Sequence, residues 1–347
     1  MKGKLLDYIG CQECGGEFQV RTETREGDEI LEGKLECRRC SASYPIVRGV
    51  PRFAAGLLDD TVRSTIESFG FEWRYFSDKL CELKEDREFL TLIPPVTPQF
   101  FEGKVVLDVG CGMGRLSYLS GSYGAREVIG VDLSHSVDPA FSYTRNAGNV
   151  HIMQCDLHHI PLRKEVDFAF SLGVLHHIPS GVEGLKSICR HVKKEGGTVA
   201  FWVYGKEGNE IMRTLQFPFR ILTTRLSRHT NISLSKLLTH FLSGVYRGVY
   251  MPLQESALDS LLFYKSYFRY FHTLSFHDRQ STVFDFLSTR IVRYYSYKDI
   301  IAWIRAAGLE RINIYHRNSN SWGVVAVYAR SSAPPAEGKG QIAKEPK

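Results

Sequence analysis

The chain has 347 residues, of which 43% are hydrophobic and 24% are charged, proportions that are ordinary for a folded globular protein. Its 44 Lys and Arg residues against 38 Asp and Glu residues give a net charge of +6, which permits an anionic partner without requiring one. No apolar run approaches the ~18 residues of a membrane span, and residues 1–10 lack the apolar segment of a signal peptide, so a cytoplasmic location is expected.

Four of the eight cysteines form two Cys-x-x-Cys pairs near the start of the chain: Cys11 with Cys14, and Cys37 with Cys40. Each pair can present two thiolates from one tight turn, and two such turns can surround a zinc ion with four sulfur ligands. Because four cysteine ligands leave no open coordination position, the pattern predicts a structural zinc site and not a catalytic one. Free thiols or a redox pair remain the alternative.

The residues after the second pair extend this pattern. Tyr44-Pro45-Ile46 and Gly49-Val50-Pro51 follow the cysteines, and Phe53 comes next. Cysteine pairs followed by these residues resemble the Trm112-like zinc-ribbon domain. The resemblance implies a small zinc-binding unit, which we place at residues 1–55.

Residues 56–100 are predicted to be a helical connector. Apolar residues recur there at helical spacing, and residues 69–76 are rich in aromatic side chains. The interpretation that we favour is a helix packed on the core, and the alternative is a lid that excludes water from a ligand pocket. Pro94, Pro95 and Pro98 end the helical pattern before the next domain begins.

Residues 105–116 have the pattern of a buried β-strand, a glycine-rich turn and the start of a helix. Gly110, Gly112 and Gly114 remove the Cβ atoms where the backbone must turn and approach a ligand closely. The carboxyl end of a parallel strand is where α/β sheets bind nucleotides. The spacing differs from the Gly-x-Gly-x-x-Gly pattern that binds a pyrophosphate, so we predict a nucleoside ligand without a diphosphate.

Acidic residues follow the next two predicted strands. Asp132 ends the second strand, where its carboxylate can accept hydrogen bonds from both hydroxyls of a ribose, and a helix cap is the alternative role. Asp156 follows the third strand and can accept a hydrogen bond from the exocyclic amine of an adenine. Two more strands are predicted at residues 166–171 and 198–204. Strands that alternate with helices in this way indicate a parallel α/β sheet.

These motifs resemble, in order and spacing, those of the class I S-adenosylmethionine-dependent methyltransferases over about 100 residues. The resemblance implies an α/β fold with a Rossmann-like sheet, helices on both of its faces, and S-adenosylmethionine as the cofactor. The residues that it implies for cofactor binding are Asp108, Val109, Gly110, Cys111, Gly112, Gly114, Asp132, Leu133, Asp156, Leu157, Ser171 and Leu172. It also places His176 and His177 beside the reacting centre. We select His176 as the catalytic candidate, because it lies nearer the strand end.

Residues 205–285 interrupt this pattern, so the methyltransferase domain is predicted at residues 101–204 and 286–330. The insertion carries Leu, Phe and Tyr at helical spacing, with basic residues between them. We interpret it as a helical cap over the substrate. Two alternatives remain: a subdomain whose apolar stripes are core, and a basic face that contacts a membrane surface. Residues 331–347 are rich in Pro, Gly, Lys and Glu and are predicted to be a disordered tail.

The acceptor of the methyl group is the least determined part of the prediction. Ser171-Leu-Gly-Val follows the fourth strand, in place of the Asn-Pro-Pro-Tyr type of the adenine and glutamine amino-methyltransferases. We therefore predict a small-molecule acceptor, such as a glycan, a lipid-linked intermediate or a quinone. The alternative is RNA or a protein of the translation machinery, because free-standing Trm112-like proteins activate methyltransferases of that machinery. A binding module with a degenerate cofactor site is a third interpretation. His277, Asp278 and Asp285 are further candidates for the pocket.

Overall fold

The computed structural model describes residues 1–53, 59–80 and 87–328. The predicted tail at residues 331–347 and two short stretches of the predicted connector lie outside the described residues. Within the described ranges the chain forms a four-stranded sheet and a seven-stranded sheet, with helices around the larger one.

The N-terminal unit is the four-stranded antiparallel sheet. Its strands are β1 (Phe18–Glu26), β2 (Glu29–Cys37), β3 (Ser43–Val47) and β4 (Val50–Pro51). The unit packs on the larger sheet, because Leu5, Ile9 and Phe53 belong to the same hydrophobic cluster as Met153 and Ile160. The apolar area buried at this contact makes the N-terminal unit part of the main core.

An ion pair reinforces the same contact. The carboxylate of Glu127, which is 1% exposed, lies 2.6 Å from Lys4 Nζ and 2.7 Å from His151 Nε2. A buried carboxylate is retained when such partners satisfy it. The N-terminal unit is therefore joined to the large sheet by both apolar and charged contacts.

Two helices connect the sheets, α1 (Asp60–Leu80) and α2 (Arg87–Thr91). The seven strands of the larger sheet are β5 (Val105–Val109), β6 (Glu127–Asp132), β7 (Val150–Gln154), β8 (Phe168–Leu172), β9 (Thr198–Tyr204), β10 (Glu310–Arg317) and β11 (Ser321–Val327). Their order is β10-β11-β9-β8-β5-β6-β7, and the five strands from β9 to β7 are parallel. The hairpin of β10 and β11 pairs antiparallel with β9 and closes the sheet. The predicted α/β class and Rossmann-like sheet are confirmed.

Helices cover both faces of this sheet. They are α3 (Arg115–Ser122), α4 (Val137–Thr144), α5 (Gly181–Cys189) and α11 (Tyr297–Ala306). Alternate residues of each strand point to opposite faces, so Val106 and Val128 pack with α3 and α4, and Leu107 and Ile129 pack on the other side with α5 and α11. The strands are short and apolar because they are buried on both faces.

The predicted helical insertion lies between β9 and α11. Its helices are α6 (Glu210–Thr223), α7 (Arg228–Val245), α8 (Met251–Leu253), α9 (Lys265–Thr273) and α10 (Phe276–Ser288). The helices α1, α6 and α7 all contact α10. Among the described residues, none of the helices combines the length and the apolar character needed to cross a membrane.

Candidate functional site

The four cysteines of the N-terminal unit come together in one cluster. Their Sγ atoms lie within 4.8 Å of one another, with 3.4 Å between Cys14 and Cys37, 3.5 Å between Cys14 and Cys40, and 3.6 Å between Cys11 and Cys40. These separations are far longer than a disulfide bond of about 2.05 Å. They are close to the about 3.8 Å expected between thiolates arranged tetrahedrally around a zinc ion. The backbone N–H of Arg39 also donates to Cys37 Sγ, so the donor set fits zinc.

The glycine turn after β5 has the shape that a close backbone approach requires. Gly110 has a φ of +79°, and a Cβ there would lie 2.2 Å from Val174 Cγ2. Gly112 has a φ of +53°, and its Cβ position lies 3.3 Å from Trp73 Nε1. Positive φ and the lack of space both demand glycine at position 110. The indole of Trp73 therefore covers the turn from the side of α1.

Asp132 links this turn to the end of β6. Its Oδ2 accepts a hydrogen bond from the N–H of Gly112 at 3.0 Å, and its Oδ1 accepts from the N–H and hydroxyl of Ser134 at 2.8 and 2.7 Å. A carboxylate has about four lone-pair positions, so capacity for a ligand hydroxyl remains. The N-cap of α4 is Ser136, so the alternative role of Asp132 as the cap of that helix is wrong.

A cavity of about 620 Å³ lies at the carboxyl edge of the large sheet. The predicted cofactor residues that line it are Val109, Gly110, Asp132, Leu133, Asp156, Leu157 and Leu172. The others, which are not part of the lining, are Asp108, Cys111, Gly112, Gly114 and Ser171. The cofactor assignment of each residue stays a prediction.

Asp108 shows what the supporting residues do. It is 2% exposed, and the Ser117 hydroxyl donates to its Oδ2 at 2.7 Å, which ties β5 to α3 beneath the glycine turn. Burial raises the pKa of this carboxyl to about 7. Ser171 acts in a similar way, because its hydroxyl donates to the carbonyl of Val109 at 3.0 Å and holds β8 against β5.

The second half of the cavity is lined by residues outside the predicted cofactor set. They come from α1, β9, α9, α10 and the β10–β11 turn, and many are aromatic: Phe69, Trp73, Trp202, Tyr204, Tyr267 and Tyr270. The helix α1 also packs on the insertion, where Phe71 and Phe76 contact Phe284. This helix therefore packs on the protein and also lines the cavity, and its role as a lid stays a prediction.

His176 and His177 both line the cavity, but their surroundings differ. His176 is 0% exposed, its ring lies 4.0 Å from that of Tyr204, and neither ring nitrogen has a hydrogen-bond partner among the described residues. The Nδ1 of His177 is 2.8 Å from the carbonyl oxygen of Ile291, and its Nε2 is 4.0 Å from Asp285 Oδ2. Because a carbonyl can only accept, His177 Nδ1 carries the hydrogen and Nε2 of the neutral ring carries the lone pair.

Burial controls the charge of both histidines. It lowers the pKa of His176 well below 6.5, and it lowers the pKa of His177 although the nearby Asp285 carboxylate opposes this change. Both rings are therefore neutral near pH 7. Only His177 combines a fixed tautomer with a carboxylate that can stabilise the imidazolium formed when Nε2 takes a proton.

A group of polar side chains surrounds this histidine. Glu72 from α1 is 4% exposed and accepts a hydrogen bond from the Ser281 hydroxyl at 2.5 Å. Tyr204 donates to Asp285 Oδ2 at 3.4 Å. Burial, with a smaller effect of the negative Asp285, raises the pKa of Glu72 well above its usual value. When it is protonated, Glu72 can donate a hydrogen bond into the cavity.

The sequence predicts only some of the residues that line this second half of the cavity. Asp285 was among the candidates and lines the cavity, whereas His277 and Asp278 do not. Glu72 and Ser281 were not identified, although they are in contact across 209 positions of sequence. The pattern of residues 69–76 contains a signal for Glu72, a single carboxylate among aromatic residues on a helix.

Comparisons with known proteins agree with this arrangement at the level of the domain. Residues 107–201 match a family described as a methyltransferase domain. The tRNA U34 carboxymethyltransferase of Aeromonas hydrophila is 30% identical over 122 residues, 34% of this chain and 37% of that protein. The enzyme of the same name from Shewanella halifaxensis is 29% identical over 199 residues, 56% of this chain and 53% of that protein. The chain thus spans about half or less of the length of these curated relatives.

Solved structures are more distant. The structure of magnesium protoporphyrin IX methyltransferase from Synechocystis PCC 6803, with bound SAH, is 14% identical in sequence and has a TM-score of 0.41, and the match covers 80% of this chain and 90% of that chain. The sequence match to the family and the seven-stranded sheet with its glycine turn support one conclusion. Residues 107–201 are a methyltransferase domain, with the sheet and the glycine turn that the resemblance to the class I S-adenosylmethionine-dependent enzymes implies.

Proposed function

We propose that the protein transfers a methyl group from S-adenosylmethionine to a nucleoside of RNA. The observation that carries the proposal is the aromatic half of the cavity, which adjoins the residues predicted to hold the cofactor. A base turned out of its strand is bound by stacking on aromatic side chains and by hydrogen bonds to its edge. The curated relatives, which are named for tRNA U34, support the same class of acceptor.

The cofactor half of the site fits the nucleoside end of S-adenosylmethionine. Asp132 would hold the ribose and Asp156 the adenine, and the backbone at Gly110 would approach the methionine end. When bound, the cofactor supplies an electrophilic methyl group next to the acceptor. The protein contributes orientation and a cavity that excludes water.

His177 is the group that we propose for removal of the acceptor proton. Its Nε2 lone pair lies beside Asp285, which stabilises the protonated ring. Glu72, held by Ser281, can donate a hydrogen bond to the acceptor when it is protonated and thereby orient it. An acceptor hydroxyl or ring N–H would need such a base, since it is a weak nucleophile while it keeps its proton.

A small-molecule acceptor is the second candidate, in line with the sequence-based expectation of a glycan, a lipid-linked intermediate or a quinone. The observation that favours it is the position of α1 and α10 on the acceptor side of the cavity, since both helices line it and contact each other. Sites for small ligands are typically enclosed and apolar in this way.

The acceptor class can be measured directly. The protein is incubated with S-adenosylmethionine labelled in its methyl group and with either total tRNA or a small-molecule extract of cells. We expect the label in tRNA, in a nucleoside that ribonuclease digestion and mass spectrometry identify. Label only in the small-molecule fraction would establish the second candidate, and no transfer to either would contradict both.

Replacement of Asp132 tests the cofactor half. We expect Asp132→Ala to weaken S-adenosylmethionine binding by about a hundredfold or more in calorimetry, because the charged hydrogen bond to a ribose hydroxyl and the bond that holds the Gly112 turn are both lost. Asp138→Asn is the matched control, because Asp138 pairs with Arg52 outside the cavity. Unchanged affinity in Asp132→Ala would remove this residue from the site.

Replacement of the histidines tests the proton acceptor. We expect His177→Gln to lower kcat by about 10²-fold or more with cofactor affinity retained, since a general base is lost. The rate of the unaltered enzyme should fall at low pH, because protonation blocks Nε2, and the midpoint of this fall should lie below pH 6.5.

The matched variant is His176→Gln, which tests the sequence-based choice in the same assay. If the fall of the rate at low pH disappeared in His176→Gln but persisted in His177→Gln, the catalytic role would belong to His176. Circular dichroism and cofactor affinity show whether each variant is folded.

We also propose that the four-cysteine cluster binds a structural zinc ion. The protein should contain about one zinc per chain by elemental analysis, and Cys37→Ser should lower the zinc content and the melting temperature, because the N-terminal unit shares its core with the sheet. Cys189→Ala, which removes a cysteine far from the cluster in sequence, should keep its zinc. A metal-free protein with unchanged melting temperature would refute the zinc assignment.

A further inference from the structure

The insertion exposes an unusual number of large apolar side chains. Those between residues 211 and 251 that are more than a third exposed are Ile211, Phe219, Ile221, Leu222, Leu226, Leu237, Phe241, Val249 and Met251. They lie on α6, on α7 and in the segment that follows each helix. We call these residues the insertion face. Single exposed apolar residues are ordinary, but a concentration of this kind marks an interaction surface.

The helix α6 is oriented with its polar side toward the protein. Buried Gln216 and Thr223 lie on its inner side, and the Thr223 hydroxyl donates to the Leu287 carbonyl at 2.8 Å. Ile211 and Leu222, three helical turns apart, lie on the outer side and are 54% and 63% exposed. A surface helix normally buries its apolar stripe, so the outer side of α6 lacks the partner that its composition predicts.

The helix α7 also leaves apolar residues on its outer side, although its Leu234, Leu238 and Leu242 pack against the apolar cluster of α9 and α10. Its buried side carries Asn231, Ser235 and Thr239 as well as Ile232, and the Asn231 amide donates to the Thr223 carbonyl at 3.0 Å. Its outer side carries Leu237 and Phe241, one turn apart, at 66% and 64% exposure. Because both helices pack on α10, the two apolar sides are left on the outside of the same subdomain.

The charge of this segment has one sign. Residues 211–254 contain six Lys and Arg residues and no Asp or Glu. Arg225, Lys236 and Arg247 are exposed and form no ion pair with any residue in the described part of the chain. Exposed apolar side chains interleaved with free cations are the composition of helices that lie in the interface of a bilayer with anionic lipids.

We propose that the insertion face binds the surface of an anionic lipid bilayer. Its apolar side chains would lie below the headgroups, and Arg225, Lys236 and Arg247 from the same segment would lie at the phosphates. A second copy of the chain fits less well, because two faces that carry only positive charge would repel. RNA would satisfy the cations but leave the aliphatic side chains unburied. This proposal does not depend on the identity of the methyl acceptor.

Vesicle co-sedimentation of the full chain tests the proposal without turnover. We expect binding to vesicles that contain phosphatidylglycerol, weaker binding to vesicles of phosphatidylcholine alone, and loss of binding at high salt. Leu222→Ser combined with Leu237→Ser should weaken binding by about tenfold or more, since both side chains lose apolar burial. Lys236→Gln should weaken it by about fivefold. Ile312→Ser, which removes an exposed apolar side chain from β10, is the matched control and should bind normally.

Three results would overturn the proposal. The first is a folded protein, with normal affinity for S-adenosylmethionine, that binds neither type of vesicle. The second is a dimer in gel filtration that the double serine variant dissociates, which would make the face a subunit interface. The third is loss of tRNA binding in Lys236→Gln with vesicle binding unchanged, which would assign the face to nucleic acid.

Discussion

The hydrogen bond from the N–H of Gly112 to the carboxylate of Asp132 is the contact on which the cofactor half of the site depends. It joins the turns that follow two neighbouring parallel strands, whose register aligns Val109 with Val131. The bond can form only because Gly110 turns the chain at a positive φ against Val174. The turn and the carboxylate thus form one wall of the cavity, and the buried Asp108 beneath them accepts a hydrogen bond from the Ser117 hydroxyl of α3.

The parts of the molecule that depend on local sequence could be predicted from it. The strands and the glycine turn are short, contiguous patterns, and their order defines the sheet. The aromatic half of the cavity could not be predicted in this way, because Glu72 and Ser281 meet across 209 residues and neither belongs to a local sequence pattern. The adjacent His176 and His177 illustrate the same limit. The group that fixes the tautomer of His177 is the backbone carbonyl of Ile291, 114 residues away, and a carbonyl leaves no trace in sequence.

For the N-terminal unit, the sequence predicts the cysteine cluster but not the position of the unit on the large sheet. The cysteine spacing was enough to predict a cluster of four thiolates, because two knuckles can close on one ion in few ways. The spacing contained no information on where the unit would pack. Its position is set by Leu5 and Ile9 in the core of the large sheet and by Glu127, whose carboxylate pairs with Lys4 and lies 2.7 Å from His151 Nε2. The N-terminal unit, which has its own small sheet, thereby shares its core with the methyltransferase domain.

The insertion exposes apolar side chains on α6 that the helical pattern of its sequence would bury. The cause lies at the C-terminal end of α10. The last turn of a helix leaves carbonyl groups without intrahelical partners, and these need donors when they are buried. Thr223 donates to the carbonyl of Leu287, and Arg220 donates to that of Thr289 at 2.6 Å. These contacts require the polar side of α6 to face inward, so its apolar side must face outward. The exposed stripe is therefore a consequence of how α10 is completed, and α10 also supplies Asp285 and Ser281 to the cavity. The same helix thus lines the aromatic half of the cavity and fixes the orientation of α6, whose outer side belongs to the insertion face.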